Sequence, residues 1–235
     1  MDLATRLSRL SPLLILALLL LPALCLAQQN LFNVPSADIT EAGQFFFQQQ
    51  FNIISANSGT SNTTLDYGLG RQLEIGLNLF NLDMQTTNGS YQNPHILLNF
   101  QKGHTFNQHY KIGFGSQSGL TPALHGHTTE LPSFNYINNA VDLQEHGKYF
   151  LGGYFANQAY AGKNQFGFMA GAEYPLIHHK IHLMADFISG DNDLSVAVIG
   201  AAFHLSHHWQ ISLGAQLPAP TSHNDYGLVL EITKL

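Results

Sequence analysis

Apolar and polar residues alternate one by one along most of the chain, and the three-and-four spacing of helices is nearly absent. The clearest run has Leu73, Ile75, Leu77 and Leu79 interleaved with Gln72, Glu74, Gly76 and Asn78. Trp209, Ile211, Leu213, Ala215 and Leu217 stand likewise against Gln210, Ser212, Gly214 and Gln216. Near the end, Tyr226, Leu228, Leu230 and Ile232 repeat the pattern. Alternate side chains of a strand point to opposite faces, so each segment carries one apolar and one polar face. The pattern predicts strands at roughly 43–55, 61–70, 71–83, 93–103, 108–118, 132–142, 146–158, 163–176, 180–189, 193–204, 208–217 and 224–233.

The predicted connections alternate in length. Gly70-Arg71, Pro175 to His179 and Ser206 to His208 are tight, whereas Asn57 to Thr60, Met84 to Asn93 and Leu120 to Leu131 are longer and rich in loop residues. Short turns at one end and longer loops at the other are the habit of barrels that cross an outer membrane. The expected fold is therefore all-β, an antiparallel up-and-down transmembrane β-barrel of about 12 strands over residues 43–235. An even strand count brings both ends of the barrel to one side.

Composition supports this reading. Only 10% of residues are charged, against about 25% in soluble globular domains. After Ala27 no apolar stretch approaches 18 residues, so strands are the remaining way to cross a bilayer. A secreted sandwich or jelly roll is the competing architecture, but it would carry charges on its wet face. Here the polar face holds mainly Gly, Asn, Gln and Ser. Tyr67, Phe80, Tyr110, Tyr149, Tyr174, Trp209 and Tyr226 sit near segment ends, as interfacial aromatic girdles do. The net charge of -6 argues against nucleic acid as a partner.

Residues 1–27 read as a cleaved signal peptide. Arg6 and Arg9 precede the apolar run Leu13 to Leu21, Pro22 breaks it, and Cys25-Leu26-Ala27 offers a cleavage site. A bulky Leu24 before Cys25 argues against lipidation. Cys25 is the single cysteine, so the remaining chain has no thiol for disulfides, metal or nucleophilic attack. Residues 28–42, with Pro35 and Asp38, form a periplasmic segment that either enters the lumen as a plug, lies across its mouth or trails as a tail.

The last strand carries a resemblance. Asp225-Tyr226-Gly227-Leu228-Val229-Leu230-Glu231-Ile232 resembles the C-terminal assembly signal of outer-membrane barrels, with Asp225, Gly227, Leu230 and Ile232 in its defining positions. It departs from the usual form in having no aromatic residue at the hydrophobic positions, and in running on through Thr233-Lys234-Leu235. More broadly, Asn33-Val34-Pro35-Ser36, Leu65-Asp66-Tyr67-Gly68-Leu69 and Ala185-Asp186-Phe187-Ile188-Ser189-Gly190 are similar to stretches of small Gram-negative outer-membrane proteins of the porin and transporter type. The resemblance implies outer-membrane lipid and the barrel-assembly machinery as partners, with small solutes possible.

On the predicted inner face lie Asp66, Glu74, Glu173, Asp186 and Glu231, with Lys111 and Lys148 among them. Water-exposed, they favour cations; paired across a narrow lumen, they help close it. Ten of the thirteen histidines fall at predicted turns (His104, His109, His146, His178, His179, His207, His208) and loops (His125, His127, His223). They read as polar turn residues, as acid-sensitive groups or as metal ligands, but adjacent pairs point to opposite faces of a strand and chelate poorly. No metal site, cofactor or catalytic set is assigned. Asp191-Asn192-Asp193 lacks calcium-loop spacing and reads as a hairpin turn. The expected function is a channel or transporter for small solutes without covalent chemistry; the alternatives, in order, are a non-conducting structural or adhesive barrel and a lipid-modifying enzyme using Ser118, His125 and His127.

Overall fold

A computed structural model describes residues 30–86, 94–124, 128–177 and 180–234. The signal-peptide reading lies outside these residues, as do His125, His127, His178 and His179. Twelve strands form one closed antiparallel barrel in which each strand pairs with its chain neighbours and β1 closes on β12. They are β1 (Phe45–Ser55), β2 (Ser58–Gly70), β3 (Leu73–Thr86), β4 (His95–Asn107), β5 (Tyr110–Leu120), β6 (Ser133–Asp142), β7 (Lys148–Ala156), β8 (Phe166–Ile177), β9 (Ile181–Ile188), β10 (Val196–His204), β11 (Trp209–Pro218) and β12 (Gly227–Lys234). The closing seam runs from Phe47 opposite Lys234 to Ile53 opposite Leu228. Closure leaves no strand edge unpaired.

The alternation sorts side chains as anticipated. Glu74 and Asn78 are buried inside while Ile75 and Leu77 stay exposed outside. Gln210, Ser212, Glu231 and Thr233 face in; Trp209, Leu213 and Leu228 face out. Around the outer wall, Leu98, Leu151, Ile199, Leu213 and Leu228 remain more than half exposed. So wide an apolar surface is foreign to a monomer bathed in water.

Two kinds of barrel end result. At the turn end, β2 and β3 are joined through Arg71 and Gln72, both at positive φ (52° and 57°), which suits a two-residue hairpin turn. The Lys102 ammonium bonds the Arg71 carbonyl and covers this turn. Exposed aromatics ring the same end: Phe45, Phe106, Tyr149, Tyr174 and Trp209. At the loop end the connections are longer, and one carries the short helix α1 (Gln158–Ala161), capped by the Asn157 side chain.

The structure corrects several details. Asn57 to Thr60 is no loop, because β2 begins at Ser58 and pairs with β1 up to the turn. His104 belongs to β4, its ring edge-on to Phe106 at 4.6 Å between centroids. Phe80 follows the inward parity of Glu74 and Asn78 and lines the interior cavity, so it joins no girdle. The inner face is also not uniformly polar. Phe134, Tyr136, Phe150, Tyr154, Met169 and Met184 on β6–β9 are buried inside and form an apolar half-wall. Their inward position is matched by Leu31, Phe32, Val34 and Ala37 of the N-terminal segment.

Candidate functional site

Residues 30–40 run inside the barrel. Leu31, Phe32, Val34 and Ala37 are almost fully buried and belong to the same apolar cluster as Phe134, Tyr154, Met169 and Met184. The wall is hollowed to receive them. A Cβ on Gly171 would lie 2.1 Å from Leu31 Cδ1, and one on Gly214 would lie 2.9 Å from the Phe32 ring. The inner tip is turned back by the Leu31 amide donating to the Val34 carbonyl at 3.0 Å. The outer end is tied to β2, where Gly43 N–H donates to the Gly68 carbonyl at 2.8 Å.

Polar contacts hold the segment on several sides. The amide and hydroxyl of Thr40 donate to Glu74 on β3 at 2.7 and 2.8 Å. Gln101 on β4 donates to the carbonyls of Ser36 and Asp38, both at 3.0 Å. Asn138 on β6 donates to the Pro35 carbonyl, and Gln50 on β1 to that of Phe32 at 3.1 Å. The Asp186 carboxylate on β9 accepts from the amides of Asn33 and Val34 at 2.5 and 2.9 Å. A segment without regular structure carries many polar backbone groups into a buried space, and these side chains satisfy them.

The strongest anchor is Asp38. One carboxylate oxygen accepts from Lys111 at 2.7 Å, and the other is paired with Lys148, itself nearly buried. Burial alone would push the Asp38 carboxyl up, but Lys148 and Lys111 together outweigh it and hold the group below its ordinary value.

The seven charged positions singled out from the sequence therefore separate by role, Lys148 serving Asp38. Glu74, Lys111 and Asp186 all grip the N-terminal segment. Asp66 faces the cavity and accepts from Asn99 at 2.8 Å. Glu231 is buried in the inner wall opposite Ser212. Glu173 lies near the turn end, bonded to His182 at 2.5 Å.

Beyond the segment, toward the loop end, opens a cavity of about 1160 Å³. Asn30, Phe32, Asn33 and Pro35 form its floor. Its wall carries six carboxylates, Asp66, Glu74, Asp83, Glu130, Asp193 and Asp225, and no Lys or Arg among the described residues. Opposite stand Phe134, Tyr136 and Tyr160, with the Phe134 and Tyr160 rings stacked at 5.3 Å. Tyr160 escaped the sequence reading because it comes from α1, in a stretch read as loop. Its only local signal is Asn157, a good helix N-cap.

The other sequence candidates are accounted for locally. Ser118 Oγ bonds Ser133 Oγ at 2.8 Å. The Asp191–Asp193 stretch is a turn organised by buried Asn192, which donates to the Tyr154 hydroxyl at 2.8 Å and accepts from Ser195 Oγ at 2.7 Å. Of the assembly-signal residues, Gly227 opens β12 while Asp225 precedes it, so the final strand starts later than expected and extends to Lys234. Leu230 and Ile232 share the outward parity of Leu228.

The NanC porin, solved in a rhombohedral crystal form, matches this barrel with a TM-score of 0.57 at 6% identity, over 81% of this chain and 98% of its own. The fold is that of a porin barrel. A mutant of the Rh. blastica porin shares 12% identity over 90% of this chain and 68% of its own, at a TM-score of 0.41. No protein-family model matches the sequence, and no curated protein does. At such identity the likeness to a porin concerns architecture, and the lumen's chemistry must be read from this chain's own residues.

Proposed function

We propose that the protein is a Gram-negative outer-membrane channel for small cationic solutes, held closed by its own N-terminal segment. Membrane placement is supported by the outward apolar band and the aromatic ring at the turn end. Assembly by the outer-membrane machinery would use Gly227, Leu230 and Ile232 on the seam strand. The observation that carries the solute class is the cavity wall, with six carboxylates and no Lys or Arg among its described residues. A low-dielectric mouth lined by one sign of charge concentrates the opposite ion. The facing aromatic rings add a surface suited to an organic cation.

Ion selectivity tests this reading. In planar bilayers under a KCl gradient, a variant with the segment released should show a reversal potential on the potassium side. Replacing Asp66 and Glu74 together (Asp66→Asn, Glu74→Gln) should move it toward zero. A reversal potential on the chloride side would overturn the reading. The packed floor favours one other function, a non-conducting barrel whose cavity only captures cations; an intact barrel that stays silent after release of the segment would establish it.

A further inference from the structure

We propose that Glu173, His182 and His204 form a binding site for one divalent transition-metal ion, of the zinc, copper or nickel class, at the turn end of the barrel. Their donor atoms all lie within 4.8 Å of one another. The three residues come from adjacent strands and face inward. His182 stands opposite Pro175 on β8 and Ala202 on β10, so Glu173 and His204 are its diagonal neighbours on either side. Diagonal Cα separations in a sheet are about 7–8 Å, a gap that two long side chains close through a shared ion. The contacts show this convergence already: His182 Nδ1 lies 2.5 Å from the Glu173 carboxylate, and the His182 and His204 rings meet edge to face at 4.6 Å.

The donor set fits the proposed ions. Two imidazoles and one carboxylate suit zinc, copper or nickel, whereas calcium and magnesium prefer all-oxygen shells. Three protein ligands leave a fourth position for water in a tetrahedral zinc shell. Bond lengths of about 2.0–2.2 Å set tetrahedral donors about 3.4 Å apart. The close His182–Glu173 pair must therefore part to admit the ion while the more distant donors draw in, which histidine and glutamate side chains allow. Lys148 stands opposite Glu173 across the β7–β8 ladder, but its ammonium is engaged by Asp38, which leaves the Glu173 carboxylate to the histidines. An ion here would staple β8, β9 and β10 beside the strand that anchors the N-terminal segment. The site is independent of whether the barrel conducts.

Titration of the refolded, tag-free protein with zinc against a chelating indicator tests the assignment. One ion should bind, and His182→Gln or His204→Gln should each weaken it by about 100-fold. Glu173→Gln should weaken it about tenfold, while the exposed turn pair His207→Gln/His208→Gln should leave the tight equivalent in place. Thermal unfolding provides a second readout: zinc should raise the midpoint of the wild type and leave that of His182→Gln unmoved. Equal affinity in wild type and His182→Gln, or loss of the ion only in the turn-histidine variant, would overturn the site.

Discussion

Replacing Asp38 by asparagine should free the N-terminal segment from the lumen wall. Asp38 is buried, one of its lysines is nearly so, and the other is about a third exposed. Removing one partner of a buried pair leaves an uncompensated charge and typically costs about 3–5 kcal/mol. Most of that cost falls on Lys148, because the more exposed Lys111 recovers water. At about 1.4 kcal/mol per decade, the docked-to-released ratio should drop by about two to four orders of magnitude. A thiol placed by Ser36→Cys, on a residue buried in the docked segment, reports this directly. Its labelling by a maleimide should be slow in the wild-type background, fast with Asp38→Asn and intermediate with Asp38→Glu. The pH dependence follows from the same carboxyl. Its docked value lies below that of a free aspartate, about 3.9. The stabilisation is therefore complete above that pH and is lost as the pH falls through the docked value. Labelling should not accelerate between pH 7.5 and 5.5 through this group.

Replacing Asp186 by leucine should release the inner tip of the same segment while sparing the barrel. Its carboxylate is the acceptor for two consecutive amides, those of Asn33 and Val34. Leucine fills similar space but accepts nothing, and each orphaned buried N–H costs about 1–3 kcal/mol. Docking should weaken by about 2–6 kcal/mol. The barrel wall itself should not suffer, because the backbone ladders of β9 with β8 and β10 do not depend on the Asp186 side chain. The expected result is rapid labelling at Ser36→Cys with an unfolding temperature equal to or above the wild type. A lowered unfolding temperature with slow labelling would show that Asp186 serves the wall alone.

Legibility in the sequence differs from one wall to the other. In β3, β11 and β12 the two faces differ sharply, so register and orientation follow from alternation alone. In β6 and β7 both faces carry large apolar residues: Tyr136 points in and Ile137 out, Phe150 in and Leu151 out. Period-2 contrast vanishes there, because the inner residues serve Leu31, Phe32 and Val34 from a distant part of the chain. The segment itself has no periodicity, and Asp38 meets Lys111 and Lys148 across 73 and 110 residues. Such pairs leave no local trace. The histidines show the same limit. Those in turns stand out, whereas His182 and His204 lie within apolar strands, and only inward parity on neighbouring strands links them to Glu173.

On the proposed function, residues 30–40 close a barrel that otherwise conducts. Single-channel recording in planar bilayers compares the refolded protein with a variant lacking those residues. The wild type should be silent or rarely open, and steady cation-preferring steps should appear once the segment is absent. Equal conductance in both, or silence in both with the barrel intact by circular dichroism, would contradict it.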